Sequence, residues 1–201
     1  PSVSIRDWPE MPLRGTIEGF YGQPWSHEDR LSQIEFYGQN KMNTYGYAPK
    51  DDPYHLTKWR EPYPEDRFNQ LEELVQKSKQ NHVQFVFALS PGSSVCYSGN
   101  EDFTLLMDKM QSMYDIGVRS YAIFYDDISG ELQCEEDRER FGDEESPAAA
   151  AQAYLLNRFQ EEFIETHEDT ERLITVPTEY SGLNETAYKQ HFGDLVNPNV
   201  I

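Results

Sequence analysis

The feature that most limits the fold of this sequence is a regular alternation of short apolar segments with amphipathic helical segments. The apolar segments predict five strands, at residues 13–17, 42–48, 83–89, 119–125 and 173–176. Between them apolar residues recur at helical spacing, as at Leu71, Leu74 and Val75. This alternation is typical of βαβ units, so we expect an α/β fold with a parallel sheet.

Each predicted strand ends in a polar segment that contains Gly, Pro or acidic residues. In chain order these segments are Glu18-Gly-Phe-Tyr-Gly, Pro49-Lys-Asp-Asp, Ser90-Pro-Gly, Asp126-Asp and Pro177-Thr-Glu-Tyr. A (β/α)8 barrel builds its active site at the carboxyl ends of its strands, and an open doubly wound sheet binds ligands there too. The first strand is followed by no GxGxxG pattern and no P-loop lysine, which favours the barrel.

The length of the chain limits how much of a barrel it holds. A complete (β/α)8 barrel takes roughly 250 residues, whereas this chain has 201. We therefore expect about the first five strand-helix units of a barrel in residues 13–201. Residues 1–12 are expected to be the tail of a preceding domain or a linker. An open sheet would expose two edges, so self-association or a completing polypeptide is the expected partner.

Charge and cysteine content exclude several function classes. The chain has 36 acidic and 17 basic residues, a surface that disfavours nucleic acid because phosphate binding needs cationic contacts. It has no apolar run long enough for a membrane span, and no Cys or His spacing that indicates zinc or another cofactor. The acidic residues 131–146 are expected to form a solvated face or loop. Cys96 and Cys134 follow neighbouring strands on one face, which suggests a disulfide.

The pair Asp126 and Asp127 is the strongest candidate for chemistry. An Asp at this place could also cap a turn, and Tyr-Asp-Asp could be the metal site of a polymerase-like palm, although the acidic balance and the βα pattern oppose the latter. Most glycosidases place two carboxylates about 5–9.5 Å apart on opposite sides of the scissile bond. Adjacent Cα atoms lie about 3.8 Å apart, so both acids address one region. That favours substrate assistance, in which the 2-acetamido oxygen attacks and forms an oxazoline.

Four segments together resemble glycoside hydrolase family 84, which contains O-GlcNAcases and bacterial enzymes often called hyaluronidases. They are Gly15-Thr-Ile-Glu-Gly-Phe-Tyr-Gly-Gln-Pro-Trp, Met42-Asn-Thr-Tyr-Gly-Tyr-Ala-Pro-Lys-Asp-Asp, Tyr125-Asp-Asp-Ile and Pro177-Thr-Glu-Tyr. The resemblance runs from about Arg14 to the end of the chain. Trp25-Ser-His-Glu-Asp-Arg and the residues after Lys50 are more similar to the bacterial branch.

The resemblance implies a retaining exo-β-N-acetylglucosaminidase without metal or cofactor. By it, Asp126 would orient the acetamido group, and Asp127 would be the general acid and then the base. Tyr180 would hydrogen-bond the acetamido oxygen, while Lys50 and the backbone of Gly19 would hold ring hydroxyls. Two neighbouring carboxylates ionise less easily than one, because their negative charges repel each other. This agrees with a pair in which one Asp acts as an acid and the other as an anion. The implied substrates are O-GlcNAc proteins, mucin glycans or hyaluronan fragments.

Simpler interpretations stay open for these residues. Taken alone, Lys50 would be an ordinary surface lysine and Tyr180 a packing residue, and Gly19 would only permit a tight turn. Tyr21, Tyr47 and Tyr125 are expected in the barrel core or the pocket wall. The five histidines receive no role.

The predicted function keeps one alternative. Family members take further sugar ligands from strands after the fifth, so the chain is expected to be a piece of a larger enzyme. It could then be a truncated, non-catalytic sugar-binding or interaction fragment. The bacterial branch implies a secreted or cell-surface location, and the animal type a cytoplasmic one.

Overall fold

A computed structural model of the chain describes residues 2–201, and its centre is one five-stranded sheet. The strands are β1 (Gly15–Glu18), β2 (Thr44–Tyr47), β3 (Gln84–Leu89), β4 (Ser120–Phe124) and β5 (Ile174–Val176). They lie in chain order, and every neighbouring pair is parallel. The sheet and the helices between its strands form a partial (β/α) barrel, which confirms the predicted α/β fold class.

Six α-helices and a short 3₁₀ helix cover the sheet in the described part of the chain. They are α1 (His27–Gln39), α2 (Glu65–Gln80), α3 (Asn100–Asp115), α4 (Glu135–Phe141), α5 (Pro147–Glu162), the 3₁₀ helix Ile164–Thr166 and α6 (Ala187–Leu195). At the start of α1, Ser26 and Asp29 form a capping box in which each side chain accepts from the other's backbone N–H. Among residues 2–201, none of the helices combines the length and apolarity needed to cross a membrane.

The acidic stretch 131–146 is mostly exposed, as expected of a solvated face, but one of its carboxylates is buried. It contains α4, and Asp137 within that helix is completely buried. The carboxylate of Asp137 accepts hydrogen bonds from the backbone N–H groups of Tyr97 and Ser98 and from the Ser98 hydroxyl. Buried charge is tolerated when hydrogen-bond donors surround it, and a distant loop supplies these donors.

The two faces of the sheet differ in the size of their side chains. On β3, Phe85, Phe87 and Leu89 point into the large core beneath the helices, while Val86 and Ala88 point to the other face. This follows from the period of two along a strand. The second face carries a small apolar cluster that also includes Ala48, Ala122 and Phe124, with Ile174 and Val176 packed against it. The barrel interior is therefore lined mainly by alanine and β-branched side chains, with Phe124 as the aromatic member of this cluster.

Residues 2–13 are exposed and contain no helix or strand. The boundary between a tail and the barrel near residue 12 remains a prediction. The expected disulfide is confirmed, because Cys96 and Cys134 are bonded with their Cα atoms 5.5 Å apart. It joins the loop after β3 to the start of α4.

Candidate active site

A cavity of about 340 Å³ lies at the carboxyl ends of the strands, where the sequence predicts the site. Its lining comes from the ends of all five strands: Ile17, Gly19, Tyr21, Ala48, Lys50, Ser90, Phe124, Asp126, Asp127, Val176 and Tyr180. The five predicted site residues, from Gly19 to Tyr180, are all among them. The volume falls in the range of small-molecule sites. The roles assigned to these residues stay predictions, but their juxtaposition is a property of the structure.

The two acids begin the loop after β4, and we call residues 126–134 the acidic loop. The Asp126 side chain is 22% exposed and the Asp127 side chain 42% exposed. Asp127 has a φ of 58°, in the left-handed region. That conformation costs an L-residue roughly 1–2 kcal/mol, and Asp tolerates it better than most because its short side chain bonds locally. The chain therefore turns sharply at the second acid.

Lys50 faces both acids from the turn after β2, and we call residues 49–52 the lysine turn. Its Nζ lies 3.5 Å from Oδ2 of Asp126 and 3.9 Å from Oδ2 of Asp127. One ammonium group between two carboxylates offsets their mutual repulsion. The cavity therefore holds a compact group of three charges with a net charge of −1 when all are ionised.

Tyr21 makes a contact that the sequence does not reveal. Its Oη donates to Oδ2 of Asp127 at 2.7 Å, and Nζ of Lys50 lies 5.2 Å from its ring centroid. The hydrogen bond to Asp127 raises the pKa of the Tyr21 phenol, so this group remains a donor at neutral pH. Tyr47 and Tyr125 are buried in the core as expected, whereas Tyr21 is a 72%-exposed part of the pocket wall.

A buried ion pair fixes the chain just before Gly19. Glu18 is buried and receives two hydrogen bonds from the Arg30 guanidinium, one from the backbone N–H of Trp25 and one from the Tyr45 hydroxyl. Bidentate pairing with further donors compensates the desolvation of the carboxylate. A Cβ on Gly19 would approach Ile17 only to 3.5 Å, an ordinary contact. The glycine thus leaves its backbone open to a ligand rather than relieving crowding.

Tyr180 reaches the cavity from the loop after β5, and Thr178 anchors that loop. The Thr178 hydroxyl donates to the Tyr125 carbonyl at 2.9 Å and accepts from Nε2 of Gln152 at 2.8 Å. The Thr178 N–H donates to the Tyr188 hydroxyl at 2.9 Å. The side chain of Tyr180 remains exposed at the cavity, available to a bound molecule.

Outside this cavity, the side chains of Cys96, Cys134 and Asp137 lie close enough together to be considered as metal ligands. The two sulfurs are bonded to each other, and the three hydrogen bonds described above satisfy the Asp137 carboxylate. These atoms therefore have partners that explain their proximity without a metal.

The chain is similar in sequence to proteins of one known family. A family model described as beta-N-acetylglucosaminidase matches residues 14–201. The chain is 32% identical over 194 residues to the protein O-GlcNAcases of Rattus norvegicus and Mus musculus, with 94% of this chain and 20% of each relative covered. It thus spans about a fifth of those relatives.

Solved structures show the same likeness. A mutant of the Thermobaculum terrenum O-GlcNAc hydrolase superposes with a TM-score of 0.87 at 38% identity, covering 94% of this chain and 40% of that one. The structure of CpGH84B superposes with a TM-score of 0.81 at 41% identity, covering 94% of this chain and 32% of that one. With a family match over almost the whole sequence, the chain belongs to the β-N-acetylglucosaminidase family, glycoside hydrolase family 84.

Proposed function

We propose that this chain carries the catalytic part of a retaining exo-β-N-acetylglucosaminidase of the O-GlcNAc hydrolase type. The observation that supports it most is the cavity in which Asp126 and Asp127 lie within 4 Å of the same lysine nitrogen. Among the described residues that line this cavity, these two carry the carboxylates. Because these two carboxylates face the same nitrogen, neither is placed to attack the far face of a sugar, which favours the substrate's own acetamido oxygen as the nucleophile.

In the first step the deeper acid acts on the sugar and the outer acid on the leaving group. Asp126 accepts a hydrogen bond from the acetamido N–H and directs the acetamido oxygen to the anomeric carbon. The Tyr180 hydroxyl donates to that oxygen. Asp127 gives a proton to the departing glycosidic oxygen, and an oxazoline forms that is still protonated at the nitrogen held by Asp126. The greater exposure of Asp127 supports its assignment to the outer, leaving-group side.

In the second step water opens the oxazoline. Asp127, now a carboxylate, takes a proton from the attacking water, while Asp126 again holds the acetamido nitrogen. Two inversions at the anomeric carbon give net retention. Lys50 and the backbone of Gly19 bind ring hydroxyls throughout, so their contacts contribute to binding in both steps.

A pair of substrates tests this mechanism in the full-length protein. We expect hydrolysis of an aryl N-acetyl-β-glucosaminide and none of the matching aryl β-glucoside, which lacks the acetamido nucleophile. Comparable cleavage of both would contradict substrate assistance. Calorimetry with N-acetylglucosamine tests the alternative function, because sugar binding without turnover of either substrate would identify a non-catalytic binding protein.

The substrate class and the location are part of the same proposal. We propose β-linked N-acetylglucosamine on glycoproteins or glycans as substrate, supported by the O-GlcNAcase relatives. A secreted or cell-surface location is supported by the disulfide, since such bonds persist in oxidising compartments. Alkylation and mass measurement of the protein isolated from its source test this, and free thiols at Cys96 and Cys134 would contradict it.

The domain organisation is proposed with it. Residues 13–201 would form the first five units of the catalytic barrel, and a further polypeptide segment or second chain would complete it. The 40% share of the Thermobaculum hydrolase that is covered supports this.

A further inference from the structure

The lysine turn is closed by its own backbone and tied to the strand behind it. The N–H of Asp52 donates to the Pro49 carbonyl at 3.1 Å, which places Lys50 at the second position of the turn. The same carbonyl accepts from Nε2 of the buried His55 at 2.9 Å. The carbonyl of His55 accepts from the N–H of Ser90 at the end of β3. The position of Lys50 therefore depends on backbone hydrogen bonds and on the His55 side chain, which is not part of the cavity lining.

The carboxylate of Asp52 is the main anchor of this turn. It is 8% exposed and is absent from the lining of the cavity. Oδ2 accepts from the hydroxyls of Tyr47 and Tyr63, both at 2.8 Å, and Oδ1 accepts from the N–H of Tyr54 at 2.8 Å. Burial raises the pKa of both phenols well above the ordinary value, so they stay protonated and act as donors.

A buried lysine on α3 balances the charge of Asp52. Nζ of Lys109 donates to the Tyr54 carbonyl at 2.6 Å and lies 4.7 Å from the ring centroid of Tyr63. Burial lowers the pKa of Lys109 to about 8, and the negative charge of Asp52 opposes that shift. Tyr54 and Tyr63 thus each contact both charged groups. Each donates a hydrogen bond to the Asp52 carboxylate, while Lys109 contacts the Tyr54 carbonyl and the Tyr63 ring.

We propose that Asp52 is a positioning residue, which holds the lysine turn so that the Lys50 ammonium faces Asp126 and Asp127. The kinetic part of this proposal rests on the proposed function, whereas the placement of Lys50 does not. Asparagine at position 52 would offer one oxygen and one NH2 group to three converging donors. At least one buried donor would lose its acceptor, and Lys109 would lose its countercharge, so the turn would relax.

A double-mutant cycle in the full-length protein tests the proposal by kinetics. We expect D52N to raise KM for an aryl N-acetylglucosaminide about tenfold, the equivalent of one weakened hydrogen bond to a charged group, and to change kcat less. In a K50A background the same substitution should add little, because the residue through which it acts is gone. Independent, multiplying effects of D52N and K50A would overturn the proposal.

A matched control separates positioning from general loss of stability. Asp137 is also buried and also accepts three hydrogen bonds, but from the loop at residues 97–98. D137N should lower the midpoint of thermal unfolding as D52N does, yet leave KM near the parent value. Y63F removes only one donor from Asp52 and should shift KM in the same direction by less, which keeps the test valid if D52N folds poorly.

A labelling experiment measures the position of Lys50 without relying on activity. The protein is pulsed with acetic anhydride, and modification of Lys50 is followed by peptide mass spectrometry, with the exposed Lys79 on α2 as reference. In D52N and Y63F, Lys50 should react several-fold faster relative to Lys79, since it moves away from the acids. Unchanged labelling in both variants would refute the positioning role. If labelling were faster in these variants but the parent protein had no glycosidase activity, the positioning role would be supported and only the proposed function would be contradicted.

Discussion

The lysine turn and the acidic loop bring opposite charges to the same cavity but are held by different means. The lysine turn is fixed by buried side-chain hydrogen bonds to the Asp52 carboxylate. The acidic loop has a left-handed residue, Asp127, at its second position and is fastened at its other end by the disulfide at Cys134. The structure describes all four residues of the lysine turn, and none of them has a positive φ.

If the two groups have the roles proposed above, the difference suits each group to its role. A cation that binds ring hydroxyls gains from a rigid setting, because less order is lost when the ligand binds. Under the proposed mechanism Asp127 would serve both the leaving group and water, and its greater exposure would give it the access from solvent that this needs. A constraint at the far end of a loop limits its range without burying its first residues.

The largest expected effect concerns the outer acid. Asp127→Ala should reduce turnover of a substrate with a poor leaving group by about 10²–10⁴-fold, because general acid assistance is lost. With an activated aryl leaving group the loss should be much smaller. Steady-state kinetics on a series of aryl N-acetylglucosaminides measures this dependence. K50A is the control, since a binding residue should affect all leaving groups alike, and an equal loss across the series for Asp127→Ala would contradict its role.

Much of the framework in this comparison could be predicted from the sequence. Five strands and their parallel arrangement follow from local apolar patterns, and the position of Asp126 follows from the rule that active sites form at the strands' carboxyl ends. Only the family resemblance distinguishes Lys50 and Tyr180 from an ordinary surface lysine and a packing tyrosine. The pairing of Cys96 with Cys134 follows from their place on neighbouring loops. Apart from Lys50 and Tyr180, the information is local or comes from the order of the strands.

The parts that could not be predicted depend on contacts between distant residues. Tyr21 and Asp127 are 106 positions apart, and no local pattern distinguishes Tyr21 from a core tyrosine. Asp52 ends the segment Pro49-Lys-Asp-Asp, whose composition is typical of an exposed turn. Its carboxylate is nevertheless buried. The residues of helix α4 are mostly charged, so they show no apolar periodicity from which a helix could be predicted. The helix is instead held by the tertiary hydrogen bonds of its buried Asp137.

The next largest effect concerns the disulfide that fastens the acidic loop. The double variant C96S/C134S should be less stable by roughly 2–4 kcal/mol, because the unfolded chain regains the freedom of a long loop. The sequence separation of 38 residues supports this magnitude. Urea denaturation measures the change, and the parent protein unfolded under reducing conditions is the control. A change below about 0.5 kcal/mol would show that the loop is held by Asp137 and its donors instead.

A smaller effect is expected for the cation itself. Lys50→Ala should weaken binding of N-acetylglucosamine by about 1.5–3 kcal/mol, the contribution of a hydrogen bond to a charged group. Calorimetry measures the affinity. Lys79→Ala, an exposed lysine on α2 away from this cavity, should leave it unchanged. If both variants bound the sugar equally well, Lys50 would be excluded as a ligand, and the lysine turn would be important only for the charge it places beside the acids.

The smallest expected effect tests whether the acidic loop depends on backbone geometry. Gly130 in this loop has a φ of 72°, and a Cβ there would meet Ala148 only at an ordinary 3.5 Å. Gly130→Ala should therefore destabilise the protein by about 1–2 kcal/mol through backbone strain alone. Gly193→Ala in α6 is the matched control, because its Cβ would have no neighbour within 4 Å, and it should stabilise by about 0.5–1 kcal/mol. Urea denaturation measures the free energy of unfolding of both variants. If both substitutions raised it equally, the loop would adapt freely, and the disulfide would be its principal constraint.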